Sequence, residues 1–270
     1  MPELPEVETT RRGIEPHVIG KTIDRVLVRQ SSLRWPVSPE LSQVLTGNRI
    51  GQVNRRAKYL LFTTDSGRMM VHLGMSGSLR ITDRDSSVRK HDHIDITFRD
   101  GTILRYHDPR RFGSVFWLPG TSSHVLIDDL GPEPLSTEFS GDYLFKLSRG
   151  RKVAVKLLIM NSKVVVGVGN IYANEALHLA GIRPERVASG ISRARYNRLA
   201  DKIRQVLNDA IASGGTTLRD FVHEDGSPGY FKQSLTVYGR GGEPCLNCGT
   251  RLTETRLGNR ATVCCKKCQR

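Results

Sequence analysis

The stretch YLLFTTDSGRMMVHL, residues 59–73, decides how the first half of the chain folds. Two apolar runs, Tyr59 to Thr64 and Arg68 to Leu73, flank Asp65-Ser66-Gly67. Short runs of this kind around a turn-forming triplet predict a β-hairpin. Outward from it the pattern continues. Ile94, Ile96 and Phe98 alternate, Asp100-Gly101 supplies a turn, and Ile103 to Tyr106 runs back. Short strands at this spacing predict a β-sandwich. Upstream, residues 3–14 predict a short helix. Leu4, Val7 and Ile14 lie near one face, Pro5 suits the first turn, and Glu6 and Glu8 suit the positive helix end.

Downstream the period changes. Gly131-Pro132-Glu133-Pro134 and the polar stretch to Asp142 read as a linker. Val153 to Met160 is apolar and helix-like, Gly167-Val168-Gly169-Asn170 interrupts it, and Ile171 to Ala180 resumes it. Ser192 is an expected N-cap for a long helix through Leu199, Ile203, Val206, Leu207 and Ile211, stopped by Gly214-Gly215. Residues 216–235 read as loop. At 270 residues the chain can hold more than one core. The expected class is α+β, with domains over 1–131, 149–235 and 236–270 and a linker over 132–148.

All five cysteines fall in the final segment, four of them as Cys245-x2-Cys248-x16-Cys265-x2-Cys268. Two such knuckles fit a four-thiolate zinc site, which leaves no open coordination position and is therefore structural. Disulfide frameworks belong to small secreted chains, so the metal reading is preferred. Cys264 could compete with Cys265 as third ligand, but the spacing favours Cys265. Between the knuckles, Leu257-Gly258-Asn259-Arg260 is a turn-like tip carrying an arginine.

Lys plus Arg number 41 against 27 Asp plus Glu, a net charge of +14. So basic a chain attracts polyanions, nucleic acid first among them. From Tyr143 through Asn174 the charged residues are all basic: Lys146, Arg149, Arg151, Lys152, Lys156 and Lys163. No apolar run approaches membrane-spanning length. The acidic opening is no signal peptide, and cysteine usage predicts a reducing cytoplasm. Met1 precedes Pro2, so processing would expose a proline amine. An α-amino group is less basic than a lysine amine and can form an iminium, with Glu3 beside it as acid or base. On residue type alone Lys58 reads as a solvated lysine, Met75 and Phe112 as core, His91 as a loop histidine, and Gly167-x-Gly169 as a plain turn.

MPELPEVETTRRG resembles the opening of the formamidopyrimidine-DNA glycosylases. So do Arg55-Arg56-Ala57-Lys58-Tyr59-Leu60, His72-Leu73-Gly74-Met75-Ser76-Gly77, Lys90-His91-Asp92-His93 and Asp108-Pro109-Arg110-Arg111-Phe112-Gly113. Gly167-Val168-Gly169-Asn170-Ile171-Tyr172-Ala173 and the cysteine segment complete the set, in family order along the whole chain.

The resemblance implies an N-terminal β-sandwich with flanking helices, a helix–two-turn–helix domain and a zinc-held β-hairpin. It implies a monomeric, cytoplasmic base-excision repair enzyme acting on damaged double-stranded DNA, a glycosylase and abasic-site lyase for oxidised purines. Pro2 would be the nucleophile, Glu3 its acid, Lys58 the proton donor in β-elimination, and Arg260 the finger arginine of δ-elimination. Arginine hardly deprotonates, so Arg260 is expected mainly to clamp a phosphate. Met75, Arg110 and Phe112 would fill the space of the extruded base. His72, His91, Arg110, Arg151 and Asn170 match DNA-binding positions, and the 216–235 loop would handle the extruded base. At 151 the family can carry lysine, so arginine is a mild departure. Cys245, Cys248, Cys265 and Cys268 would hold one structural zinc. Within the superfamily, Leu4 and the Pro109–Gly113 motif favour the purine enzymes over the endonuclease VIII branch. A non-catalytic DNA binder on the same scaffold is distinguished by Pro2, Glu3 and Lys58, all present here.

Overall fold

The computed structural model describes residues 2–214 and 235–270. Apart from Leu235, the expected 216–235 loop lies outside the described residues. They divide into two compact units, one holding residues 2–128 and Gly214 and the other 129–213 with 235–270.

The first unit runs α1 (Leu4–Val18), β1 (Ile23–Val28), α2 (Leu41–Leu45), β2 (Gln52–Arg56), β3 (Tyr59–Thr63), β4 (Gly67–His72), β5 (Ser78–Thr82), β6 (Asp92–Phe98), β7 (Ile103–His107), β8 (Ser114–Pro119) and α3 (Val125–Asp128). Two four-stranded sheets form, in the orders β1-β6-β7-β5 and β2-β3-β4-β8, and every pairing is antiparallel. The expected 59–73 hairpin is β3–β4, with Leu60 opposite Val71 and Phe62 opposite Met69. Those four residues enter a core shared with Ile94, Ile96 and Phe98 of the other sheet. The intervening Leu61 and Met70 pack on the reverse face with Leu118, against Phe116 and Ile127. Burial on both faces explains why this hairpin reads as continuous apolar runs rather than alternation. Helix α1 continues past residue 14 and through Pro16 to Val18, because Val18 joins Ile14, four residues earlier, in the same core.

The second unit holds α4 (Gly141–Ser148), α5 (Val155–Ile159), α6 (Asn170–Leu179), α7 (Arg193–Ala212) and the hairpin β9 (Thr253–Leu257)–β10 (Arg260–Cys264). α4 occupies part of the stretch expected as linker. Ser140 caps it by accepting from the Tyr143 amide at 3.0 Å, and Leu144 is fully buried. α5 begins only at Val155, since Ala154 is extended and bridges Val187. α7 buries Tyr196, Leu199, Ala200, Ile203, Val206, Leu207, Ala210 and Ile211 at three- and four-residue spacing. Ser192 stands at its start but makes no side-chain capping bond. In the β9–β10 turn Gly258 and Asn259 have φ of 56° and 59°. Two left-handed residues make the tight turn whose twist suits a hairpin, and Gly and Asn are the residues that tolerate it.

Candidate active site and nucleic-acid interface

Helix α1 begins with a buried acidic cap. The Glu3 amide donates to Glu6 Oε2 at 2.8 Å, a reciprocal cap in which glutamate stands where Ser or Thr is usual. Glu3 is 3% exposed and Glu6 fully buried, and Pro2 ahead of them is buried as well. Carboxylates at this end meet the positive pole of the helix. A side chain able to carry a proton is thus fixed beside the amine that removal of Met1 would create.

Lys58 is half-buried in the two-residue turn Ala57-Lys58 that joins β2 to β3, where Arg56 pairs with Tyr59. Ala57 has φ 54°. The Lys58 ammonium is close enough to disfavour a positive charge on His72.

The residues expected to act as wedges stand on two turns welded together by a buried carboxylate. Asp108 is fully buried and accepts from Ser76 Oγ at 2.8 Å, the Gly113 amide at 2.8 Å and the Tyr106 hydroxyl at 3.1 Å. Ser76 Oγ also accepts from the Arg110 amide at 3.2 Å. A Cβ on Gly74 would lie 2.4 Å from the Gly113 nitrogen, so the two backbones approach as only glycine permits. On this platform Phe112 is 42% exposed and the Arg110 guanidinium lies 4.9 Å from its ring centroid. Met75 is half-buried on the adjoining turn. Phe112 is therefore not core, and Met75, Arg110 and Phe112 are neighbours.

His72 ends β4 with its ring 4.8 Å from that of Tyr59, and its Nδ1 accepts from the Gly74 amide at 3.0 Å. Burial first, then the charges of Lys58 and Arg34, pushes its pKa from 6.5 to about 4. It is a neutral imidazole, able to donate through Nε2 but carrying no charge for a phosphate. Between these values the unfolded chain binds a proton that the folded chain refuses. Stability therefore falls as pH drops from 6.5 towards 4, by about 2 kcal/mol at pH ~5. Urea midpoints at pH ~7.5 and ~5 should fall more for the wild type than for His72→Gln; equal falls would remove His72 as the cause.

His91 precedes β6 with φ 76° and meets His93 and His107 edge-on at 6.1 and 6.2 Å. Its neighbour Asp92 anchors the turn, taking Arg80 at 2.6 Å, His107 at 2.8 Å and the Arg89 amide at 2.8 Å. Among the described residues, the non-glycines with positive φ are Ala57, His91, Arg111 and Asn259. Each is, or adjoins, a residue expected to act: Lys58, His91, the Arg110–Phe112 pair and Arg260. Left-handed backbone at a non-glycine costs about 1 kcal/mol or more and clusters at functional turns.

In the second unit, Asn170 opens α6 and its Nδ2 donates to the Ala261 carbonyl at 3.1 Å. The fully buried Lys156 gives its ammonium to the same carbonyl at 2.9 Å and to Thr262 Oγ1 at 2.7 Å. Asn174 Oδ1 accepts from the Val263 amide at 2.9 Å. Arg260 is exposed at the start of β10, so its position is fixed through the residues that follow it. Asn170 is thereby brought beside the tip end of the hairpin, next to Arg260, while Arg151 is exposed in the turn between α4 and α5.

The sulfur atoms of Cys245, Cys248, Cys265 and Cys268 all lie within 4.8 Å of one another. All five cysteines are free thiols, and Cys264 is outside the cluster. Asn247 Nδ2 donates to Cys268 Sγ at 3.4 Å, the kind of outer bond that steadies a thiolate. Four converging soft ligands can hold one metal ion.

Sequence reasoning missed several supporting residues. Glu175 of α6 accepts from the amides of Thr236, Val237 and Tyr238 at 2.8–2.9 Å, anchoring the strap that leads into the cysteine module. Lys156 belongs to the all-basic run from Tyr143 through Asn174 but is fully buried. Asp108 and Arg55 lay inside recognised motifs without a stated role. Nothing in single-sequence spacing marks a charge as internal.

The chain matches the formamidopyrimidine-DNA glycosylase N-terminal domain over residues 1–115 and the formamidopyrimidine-DNA glycosylase H2TH domain over residues 130–222. A Stutzerimonas stutzeri protein named formamidopyrimidine-DNA glycosylase is 60% identical over 270 residues, covering all of both chains. Among solved structures, the chain resembles the Lactococcus lactis Fpg in complex with abasic-site DNA, at 32% identity and TM-score 0.92 with both chains fully covered. It also resembles MutM in complex with DNA containing carbocyclic 8-oxo-G, at 34% identity and TM-score 0.91 over all of both chains.

Proposed function

Since the chain belongs to the formamidopyrimidine-DNA glycosylase family of DNA-repair glycosylases with abasic-site lyase activity, we propose that it removes oxidised purines through an N-terminal proline Schiff base. The substrates of this reading are 8-oxoguanine opposite cytosine and ring-opened formamidopyrimidines in duplex DNA. The observation that carries it is the buried Glu3 cap at the start of α1, directly after buried Pro2.

With Met1 removed, the Pro2 amine lone pair bonds to the anomeric carbon and the glycosidic bond breaks, the base leaving with the proton that the amine gives up. As the base leaves, Glu3 protonates the ring oxygen, whose bond to the anomeric carbon breaks; the oxygen stays on the sugar as a hydroxyl, and the nitrogen's pair makes a cationic iminium. That cation draws off the electron pair of the neighbouring C–H bond once its proton is taken. The 3′ C–O bond to phosphate then breaks, with Lys58 as proton donor. A second elimination expels the 5′ phosphate, which Arg260 clamps. Met75, Arg110 and Phe112 fill the duplex where the damaged nucleotide stood. His72, His91, Arg110, Arg151 and Asn170 hold the backbone, Asn170 with the free amides that open α6. Cys245, Cys248, Cys265 and Cys268 hold one structural zinc, which folds their segment and takes no part in the chemistry.

The division of labour is a catalytic domain over 1–131, a linker over 132–148, a DNA-binding helical domain over 149–235 and a finger over 236–270, working as a cytoplasmic monomer. Single-turnover base release tests the substrate class. Duplexes carrying 8-oxoguanine opposite cytosine should react at least about tenfold faster than matched duplexes with an oxidised pyrimidine. The reverse order would place the chain with the pyrimidine enzymes.

A further inference from the structure

Arg55 joins the helix beginning at Glu3 to the turn carrying Lys58. Its Nε donates to Glu8 Oε2 at 3.1 Å, and its Nη1 donates to the Ala57 carbonyl at 2.9 Å. Both ends are shielded: the Arg55 and Glu8 side chains are 11% and 12% exposed. Glu8 is a strong anchor. Burial pushes its carboxyl up, but Arg11, Arg12 and Arg55 outweigh that and hold it below the usual carboxylate range. Arg11 also reaches the Val53 carbonyl at 3.2 Å, so α1 is stitched to β2 at two levels.

The turn needs such a hold. Ala57 sits at φ 54° in a two-residue connection, where glycine would be free of the steric cost. A fork with two donor edges can satisfy a carboxylate and a carbonyl at once, which a single ammonium does less well. Resting on the assignment of Lys58 to the elimination step, we propose that Arg55 is a positioning residue for Lys58. By bridging Glu8 of α1 to the Ala57 carbonyl, it fixes the backbone from which Lys58 projects relative to the helix that starts at the reacting amine.

The test uses the full-length, metal-loaded protein and a duplex with a single abasic site. Arg55→Lys keeps the charge facing Glu8 but loses the fork. It should slow β-elimination about tenfold or more, while the borohydride-trapped adduct forms within about twofold of the wild-type rate. Arg55→Ala should do the same or worse. In a Lys58→Ala background neither change should matter by more than about twofold, because there is no longer a side chain to place. Circular dichroism and urea midpoints confirm that Arg55→Lys is folded. A full tenfold loss that persists in the Lys58→Ala background, or a trapping rate that falls in step with elimination, would overturn the role of Arg55 alone. An unchanged elimination rate in Lys58→Ala by itself would instead remove Lys58 from the chemistry, and Arg55 with it.

Discussion

Glu3→Gln is expected to lower base release from an 8-oxoguanine duplex by about 100- to 10,000-fold, the usual worth of a positioned proton donor. The substitution is close to a clean deletion of the proton. Glutamine has the shape of glutamic acid and keeps a side-chain oxygen for the cap, so α1 should still start where it does. Glu3 is 3% exposed, which leaves little room for water to supply the lost proton. An abasic duplex has no base left to release. Strand cleavage there should therefore suffer much less, and the ratio of the two losses separates an acid for sugar opening from a general defect. Equal losses on both substrates, with the fold intact, would move Glu3 out of that role.

Removing the metal is the second large effect. The core of the cysteine module is small: Val237, Cys245, Leu252, Val263 and Cys265, with Cys248 and Cys268 against it. So little apolar surface cannot offset the entropy of ordering the segment. A structural zinc supplies about 10–16 kcal/mol in isolated fingers. Chelation, or Cys245→Ala, should therefore unfold the β9–β10 hairpin and release Arg260. The loss should spread to α5, because buried Lys156 would be left without Ala261 and Thr262. The measurement is limited proteolysis with affinity for abasic-site DNA. The 236–270 segment should become protease-sensitive and the affinity fall at least about tenfold, while the β-sandwich signal in circular dichroism persists. A metal-free protein that resists protease and binds DNA fully would refute a structural metal.

The elements that were legible in the sequence are those whose signal is local. The 59–73 hairpin, the Ile94–Phe98 strand, the long helix after Ser192 and the Gly258-Asn259 tip each carry their pattern within a few residues. What was not legible depends on distant partners. Val153 reads as helix but lies next to Ala154, which bridges Val187. The stretch before Ser148 reads as polar linker, yet Leu144 finds a core. Lys156 reads as one more cation of an all-basic stretch because nothing near it announces Ala261 as its acceptor. The candidate site divides in the same way. The cysteine spacing suggests a metal site on its own; Pro2 and Glu3 offer an amine and an acid whose catalytic reading came from the resemblance; and Lys58, His91, Arg110 and Phe112 stood out only through the family motifs. The structure adds an independent mark, since each of these lies at or beside a strained, left-handed turn.

Borohydride trapping on a duplex with one 8-oxoguanine, followed by peptide mapping of the adduct, tests the central claim most directly. The Schiff-base mechanism predicts one covalent adduct on the N-terminal proline of a chain lacking Met1, weakened or lost in Pro2→Gly. An adduct on Lys58 or another lysine would contradict it, as would no adduct from a processed, DNA-binding protein on either a damaged or an abasic duplex.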